Sequence, residues 1–149
     1  MRRTTTRGAA FALTLVAAAL SACRHEERPP RDLRAEAAAT AAQRLQGRWV
    51  LVSFEPETPL EPTLQLLLNA EIERFYIDIR GSNITGEGPG ITVSRTYRIG
   101  EAYGDHFKAT VYDAYGVGLL SSCDFRGNEL LVNSINAPWR GRAIFRRAM

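Results

Sequence analysis

A chain of 149 residues, 45% hydrophobic and 23% charged, is long enough for one domain with its own core and little more. Its formal charge of +3 does not point to nucleic acid. Arg2, Arg3 and Arg7 lie in an N-terminal stretch that reads as a cleaved leader, and without them 16 basic side chains balance 16 acidic ones with no basic stripe.

The leader comes first in chain order. Three arginines precede residues 8–20, which carry no charge and are apolar or small apart from Thr14. A spanning helix needs about 20 apolar residues, so this shorter run reads as a signal peptide covering 1–22. It ends in Leu20-Ser21-Ala22-Cys23, after which polarity changes abruptly at Arg24. Those four residues resemble the lipobox of bacterial lipoproteins. The resemblance implies a diacylglyceryl group on the Cys23 thiol, cleavage before it and acylation of the new amine. Several acyl chains anchor a protein stably where one does not. It also implies a cell-envelope location. In that family an Asp after the cysteine favours inner-membrane retention; with Arg24 there, the outer membrane facing the periplasm is favoured if the cell has two.

Residues 23–45 read as the lipidated cysteine and an Ala/Arg/Pro-rich tether. Asp32 is placed to cap a helix from Leu33, with Arg44 near its end and Gly47 beyond. The alanines favour helix but offer little apolar face, so the segment is expected to be a partly helical spacer. The domain proper is expected over 46–149.

The remainder is strand-rich, with period-two alternation broken by turn signals. A first strand is predicted over 47–54. Three prolines keep 55–62 out of any sheet, and a short helix capped by Thr63 is predicted over 63–69. Strands follow over 72–80, 83–86 and 91–99, then a glycine-rich loop over 100–105. Further strands are expected over 106–113, 115–125, 129–135 and 140–146, with turns at Arg126-Gly127-Asn128 and Asn136-Ala137-Pro138. Eight short strands in series suit an all-β antiparallel up-and-down barrel with one short helix after the first strand. Strand count alone leaves a two-sheet sandwich open.

The segment Leu45-Gln46-Gly47-Arg48-Trp49-Val50-Leu51-Val52-Ser53 resembles the opening of bacterial lipocalin-like (calycin-type) domains, which begin with Gly-x-Trp, here Gly47 and Trp49. The proline-rich loop, the short helix and the terminal Ile144-Phe145-Arg146-Arg147 extend the likeness over most of 45–149. The resemblance implies a barrel whose tryptophan closes one end beneath a late arginine, Arg146 or Arg147. It also implies a site for a small apolar ligand, with lining residues expected among Leu51, Phe75, Ile77, Val93, Tyr97 and Val117.

Signatures of chemistry are sparse. His25 and His106 have no Cys, His or carboxylate partner at metal-ligand spacing, so no metal or cofactor is expected. Asp105 and His106, being adjacent, point to opposite faces of a strand and form no dyad with each other. Ser121 and Ser122 lack a nucleophile elbow, and Gly86-Glu87-Gly88-Pro89-Gly90 joins two strands and opens no helix, so it is a turn rather than a phosphate loop. Glu55, Glu57 and Glu61 read as a solvated loop, and Cys123 as a small buried hydrophobe. No catalytic residue is expected. The chain is expected to be a membrane-anchored binder of a small apolar or amphipathic molecule. The alternative is a non-enzymatic protein-binding or structural lipoprotein with a filled barrel, its protein partner unknown.

Overall fold

The computed structural model describes residues 32–135 and 140–149. Cys23, the leader, the start of the tether and the turn at 136–138 lie outside the described residues. From Asp32 to Met149 the chain forms one compact unit. Its strands are β1 (Gly47–Pro56), β2 (Tyr76–Arg80), β3 (Asn83–Glu87), β4 (Thr92–Tyr103), β5 (His106–Tyr112), β6 (Gly118–Arg126), β7 (Glu129–Ser134) and β8 (Gly141–Arg147). Each pairs antiparallel with the next and β8 returns to β1, closing an up-and-down barrel. Closure removes every edge a sandwich would leave. Helix α1 (Leu33–Leu45) precedes the barrel and α2 (Pro62–Glu71) follows β1.

α1 starts as its capping residue predicts: the Asp32 carboxylate accepts the backbone N–H groups of Arg34 and Ala35 at 3.1 and 3.2 Å. Its role differs from the expected spacer. Ala41 and Leu45, 5% and 4% exposed, belong to the main core cluster, and the helix packs against β4. Ala37, Ala41 and Leu45 recur every four residues on one face, and the small alanines let the helix axis lie close to the sheet. Residues 33–45 are therefore part of the domain and not of the tether.

α2 begins at Pro62, one residue before the predicted start. Proline suits a first turn because its missing N–H had no intrahelical partner there. Thr63 does not cap; its hydroxyl donates to the Glu61 carboxylate at 3.0 Å. The helix runs to Glu71, and Glu73 at φ 61° turns the chain, so β2 starts at Tyr76 and not at 72. β4 continues through the expected loop at 100–103, because an irregularity between Ile99 and Ala102 absorbs Gly100 and Glu101 without ending the pairing. β6 starts three residues late. The Asp113 carboxylate accepts the N–H groups of Tyr115 and Val117, both at 2.9 Å, making a side-chain-stabilised turn. This corrects Val117: it is 56% exposed on that loop, not on a barrel wall.

Antiparallel order sends alternate connections to opposite ends. The tight turns at 81–82, 104–105 and 127–128 gather at one end with the start of β1 and the end of β8. The segments 57–75, 88–91 and 113–117 gather at the other, the mouth. In β1, Trp49 and Leu51 point inward, and a bulge between Leu51 and Ser53 shifts the parity. Phe54 then pairs with Ala143, itself paired with Val132 of the inner wall, and so faces the mouth.

Candidate functional site

The tight-turn end is sealed by side chains that also complete α1. The last carbonyls of a helix have no intrahelical donors. Here the Trp49 Nε1–H donates to the Leu45 carbonyl at 2.8 Å. The Arg147 guanidinium donates to the carbonyl of Gln46 at 2.8 Å and to that of Arg44. The same guanidinium lies 4.3 Å from the centre of the Trp49 ring, a cation–π contact. Of the two arginines left open by sequence, Arg147 makes the contact and Arg146 is exposed. Gln46 closes the seam further, its amide bonding Gly81 in both directions and meeting the Tyr97 hydroxyl at 3.2 Å. Gly47, at φ 107°, leaves room for Arg147; a Cβ there would sit 3.3 Å from its Nη1.

Above this floor Trp49, Phe125 and Phe107 stack in sequence, with ring centres 6.3 and 5.1 Å apart. Beside them lies an interior cavity of about 170 Å³ walled by Ile77, Ile79, Tyr97, Phe107, Cys123 and Phe145, among others. An apolar void of about 150 Å³ can hold a benzene-sized molecule, so the interior admits little more. Burial pushes the Cys123 thiol up to about 12, aided by the Asp124 charge, and it remains a protonated wall residue. Burial also raises Tyr97, which the Gln46 hydrogen bond partly offsets.

The mouth holds the larger space. A recess of about 400 Å³ is bounded by Phe54, Leu60, Leu64, Leu67 and Leu68 on one side and by Gly90 and Ile91 on the other. Its lone charged wall residue among those described is Glu71, which is 3% exposed. The Glu71 Oε1 accepts the Gly90 N–H at 2.6 Å, and Oε2 has no hydrogen-bond partner among the described residues. Two glycines make this placement feasible. A Cβ on Gly88 would fall 2.0 Å from Oε2, and one on Gly90 3.1 Å from Oε1. The Phe75 ring lies beside Gly88 near Glu71 and reaches Gly86 near Ile77, so it stands between the recess and the interior cavity.

Comparison with protein-family models, curated proteins and solved structures finds no match.

Of the lining residues expected from sequence, Ile77 and Tyr97 line the interior cavity. Leu51 and Phe75 are buried, at 6% and 8% exposure, between the two spaces; Leu51 is fixed by backbone bonds to Phe75 and Glu73. Val93 is half-buried and lines neither. Glu71 and the α2 leucines were missed, although a signal existed. Leu64, Leu67, Leu68 and Glu71 fall at helical spacing on one face, placing a carboxylate on an apolar stripe.

On the outer wall, His106 Nδ1 lies 2.9 Å from Asp124 Oδ1, a pairing set by the β5–β6 register and not by sequence adjacency. The Tyr103 ring lies 5.1 Å from the imidazole. Lys108, two residues along the same face, pairs with Glu101 at 3.0 Å, so this face carries polar pairs at the surface. Among the described residues no three His, Cys, Asp or Glu side chains cluster to hold a metal, and no helix is long and apolar enough to cross a membrane.

Proposed function

We propose that this chain is an envelope lipoprotein, anchored through acylated Cys23, whose lipocalin-like barrel binds a small apolar or amphipathic molecule without chemistry. The observation that carries this is the apolar recess of about 400 Å³ at the barrel mouth, within the range of roughly 300–1,000 Å³ typical of small-molecule sites. Transfer of apolar surface into it from water contributes about 25 cal/mol per Å², and no catalytic group is needed. The Gly47–Trp49–Arg147 closure and the lipobox resemblance support the same proposal. A void inside the barrel and a recess above it weigh against the alternative of a filled barrel that only contacts proteins.

Titration of the full chain with the neutral dye Nile red tests it. Saturable fluorescence enhancement is expected, with affinity reduced about tenfold or more in Leu64→Arg, which puts a charge into the recess. Because residues 1–31 include an apolar stretch, the decisive quantity is the difference between the two proteins. Equal binding by both would remove the recess from the proposal. The anchor is tested in a host with a lipoprotein pathway. Palmitate should label the wild type, and Cys23→Ser should abolish the label; persistent labelling would mean that Cys23 is not the attachment point.

A further inference from the structure

We infer that the ligand of the mouth recess is an amphiphile whose head group is a hydrogen-bond-donating cation, a primary amine in the simplest case, bound to the free oxygen of Glu71. This rests on the ligand-binding proposal above and adds the chemistry of the head.

Glu71 sits 97% out of water, since only 3% of it is exposed. One carboxylate oxygen is satisfied by the Gly90 N–H at 2.6 Å, whereas Oε2 has no donor among the described residues. Leaving a buried acceptor unpaired costs more than a typical hydrogen bond contributes, and the cost rises for a charged group. A carboxyl group retained in that position marks where a donor from outside can enter. Among the described residues the rest of the wall offers no competitor, being Leu, Phe, Ile and glycine. The apolar wall suits a tail and the lone carboxylate a head, in one continuous space.

The sign of the head follows from charge. Among the described residues Glu71 is the single ionisable group on the wall, and a cationic donor satisfies both its hydrogen-bonding and its electrostatic need. The covering segment leans the same way: residues 57–75 hold four glutamates against one arginine, Arg74, a net negative charge that biases the approach toward cations. Glycine at 88 and 90 completes the arrangement, since a side chain at 88 would occupy the place of Oε2 itself.

The experiment is displacement of Nile red from the full chain by decylamine, decanol and decanoate, which share a tail and differ in head. In the wild type decylamine is expected to compete about tenfold or more better than decanoate, with decanol between. In Glu71→Gln, which keeps an acceptor for the Gly90 N–H but loses the charge, that preference should fall to within about threefold while the dye still binds. Equal competition by amine and carboxylate in the wild type overturns the inference whether or not the variant folds. So does a folded Glu71→Gln that keeps the full amine preference. Failure of the wild type to bind Nile red in the recess is a separate result and overturns the ligand-binding proposal itself.

Discussion

Trp49→Ala is expected to destabilise the barrel by about 3–5 kcal/mol, the range for removing a fully buried large aromatic side chain, and to lower its melting temperature by 10 °C or more. Trp49 is 1% exposed and floors the aromatic stack, so little can collapse into its place. It also satisfies the Leu45 carbonyl, which the truncation leaves without that donor. Arg147→Ala acts at the same helix end from outside. It removes the bonds to the carbonyls of Gln46 and Arg44 and the contact over the Trp49 ring, for about 2–4 kcal/mol in all. Because both side chains complete α1, the two losses should be non-additive, with a coupling of about 0.5–3 kcal/mol in a double-mutant cycle. Arg147→Ala should also speed amide exchange across α1 more than in β5 or β6. Thermal unfolding and hydrogen exchange check this. An Arg147→Ala protein as stable as wild type, with α1 equally protected, would show that the seal contributes nothing.

The barrel was readable because alternation along a half-buried strand is a strong signal, and Ile77 and Ile79 on β2, or Phe107 and Ala109 on β5, follow it. What was not readable depends on geometry between elements. The inward stripe of α1 consists largely of alanine, whose weak hydrophobicity resembles that of a solvated spacer, yet small side chains are what close helix–sheet contact requires. The bulge after Leu51 reverses the face on which Phe54 lies, and no local pattern announces it. Arg146 and Arg147 differ only by strand parity, which was fixed once β8 paired with β1. The His106–Asp124 pair spans 18 residues through the β5–β6 register. Glu71 was the nearest miss: its spacing from Leu64 and Leu67 was visible, but a glutamate at the end of a helix is ordinarily solvated, and only Gly88 and Gly90 folding over it reveal its burial.

The second large effect lies inside the barrel, where Phe107→Ala is expected to cost about 3–5 kcal/mol. Phe107 is 1% exposed, stacks on Phe125 at 5.1 Å and already borders the interior cavity of about 170 Å³, so truncation joins a ring-sized void to an existing one. The walls around it are pinned by closure of the sheet and cannot move inward independently, which places the cost toward the upper part of that range. Apart from Tyr97, whose hydroxyl already donates to the Gly81 carbonyl, the polar side chains on that wall are Ser121 and Cys123. A hydroxyl and a thiol give few partners to a water that needs two to four. The enlarged cavity should therefore stay dry, and benzene should enter it and restore stability. At about ten times its dissociation constant benzene would recover roughly 1.4 kcal/mol, seen as a larger rise in melting temperature in Phe107→Ala than in the wild type, whose cavity is smaller. If benzene leaves the variant's melting temperature unchanged, the void has either filled with water or closed, and the walls are more mobile than a sealed barrel allows.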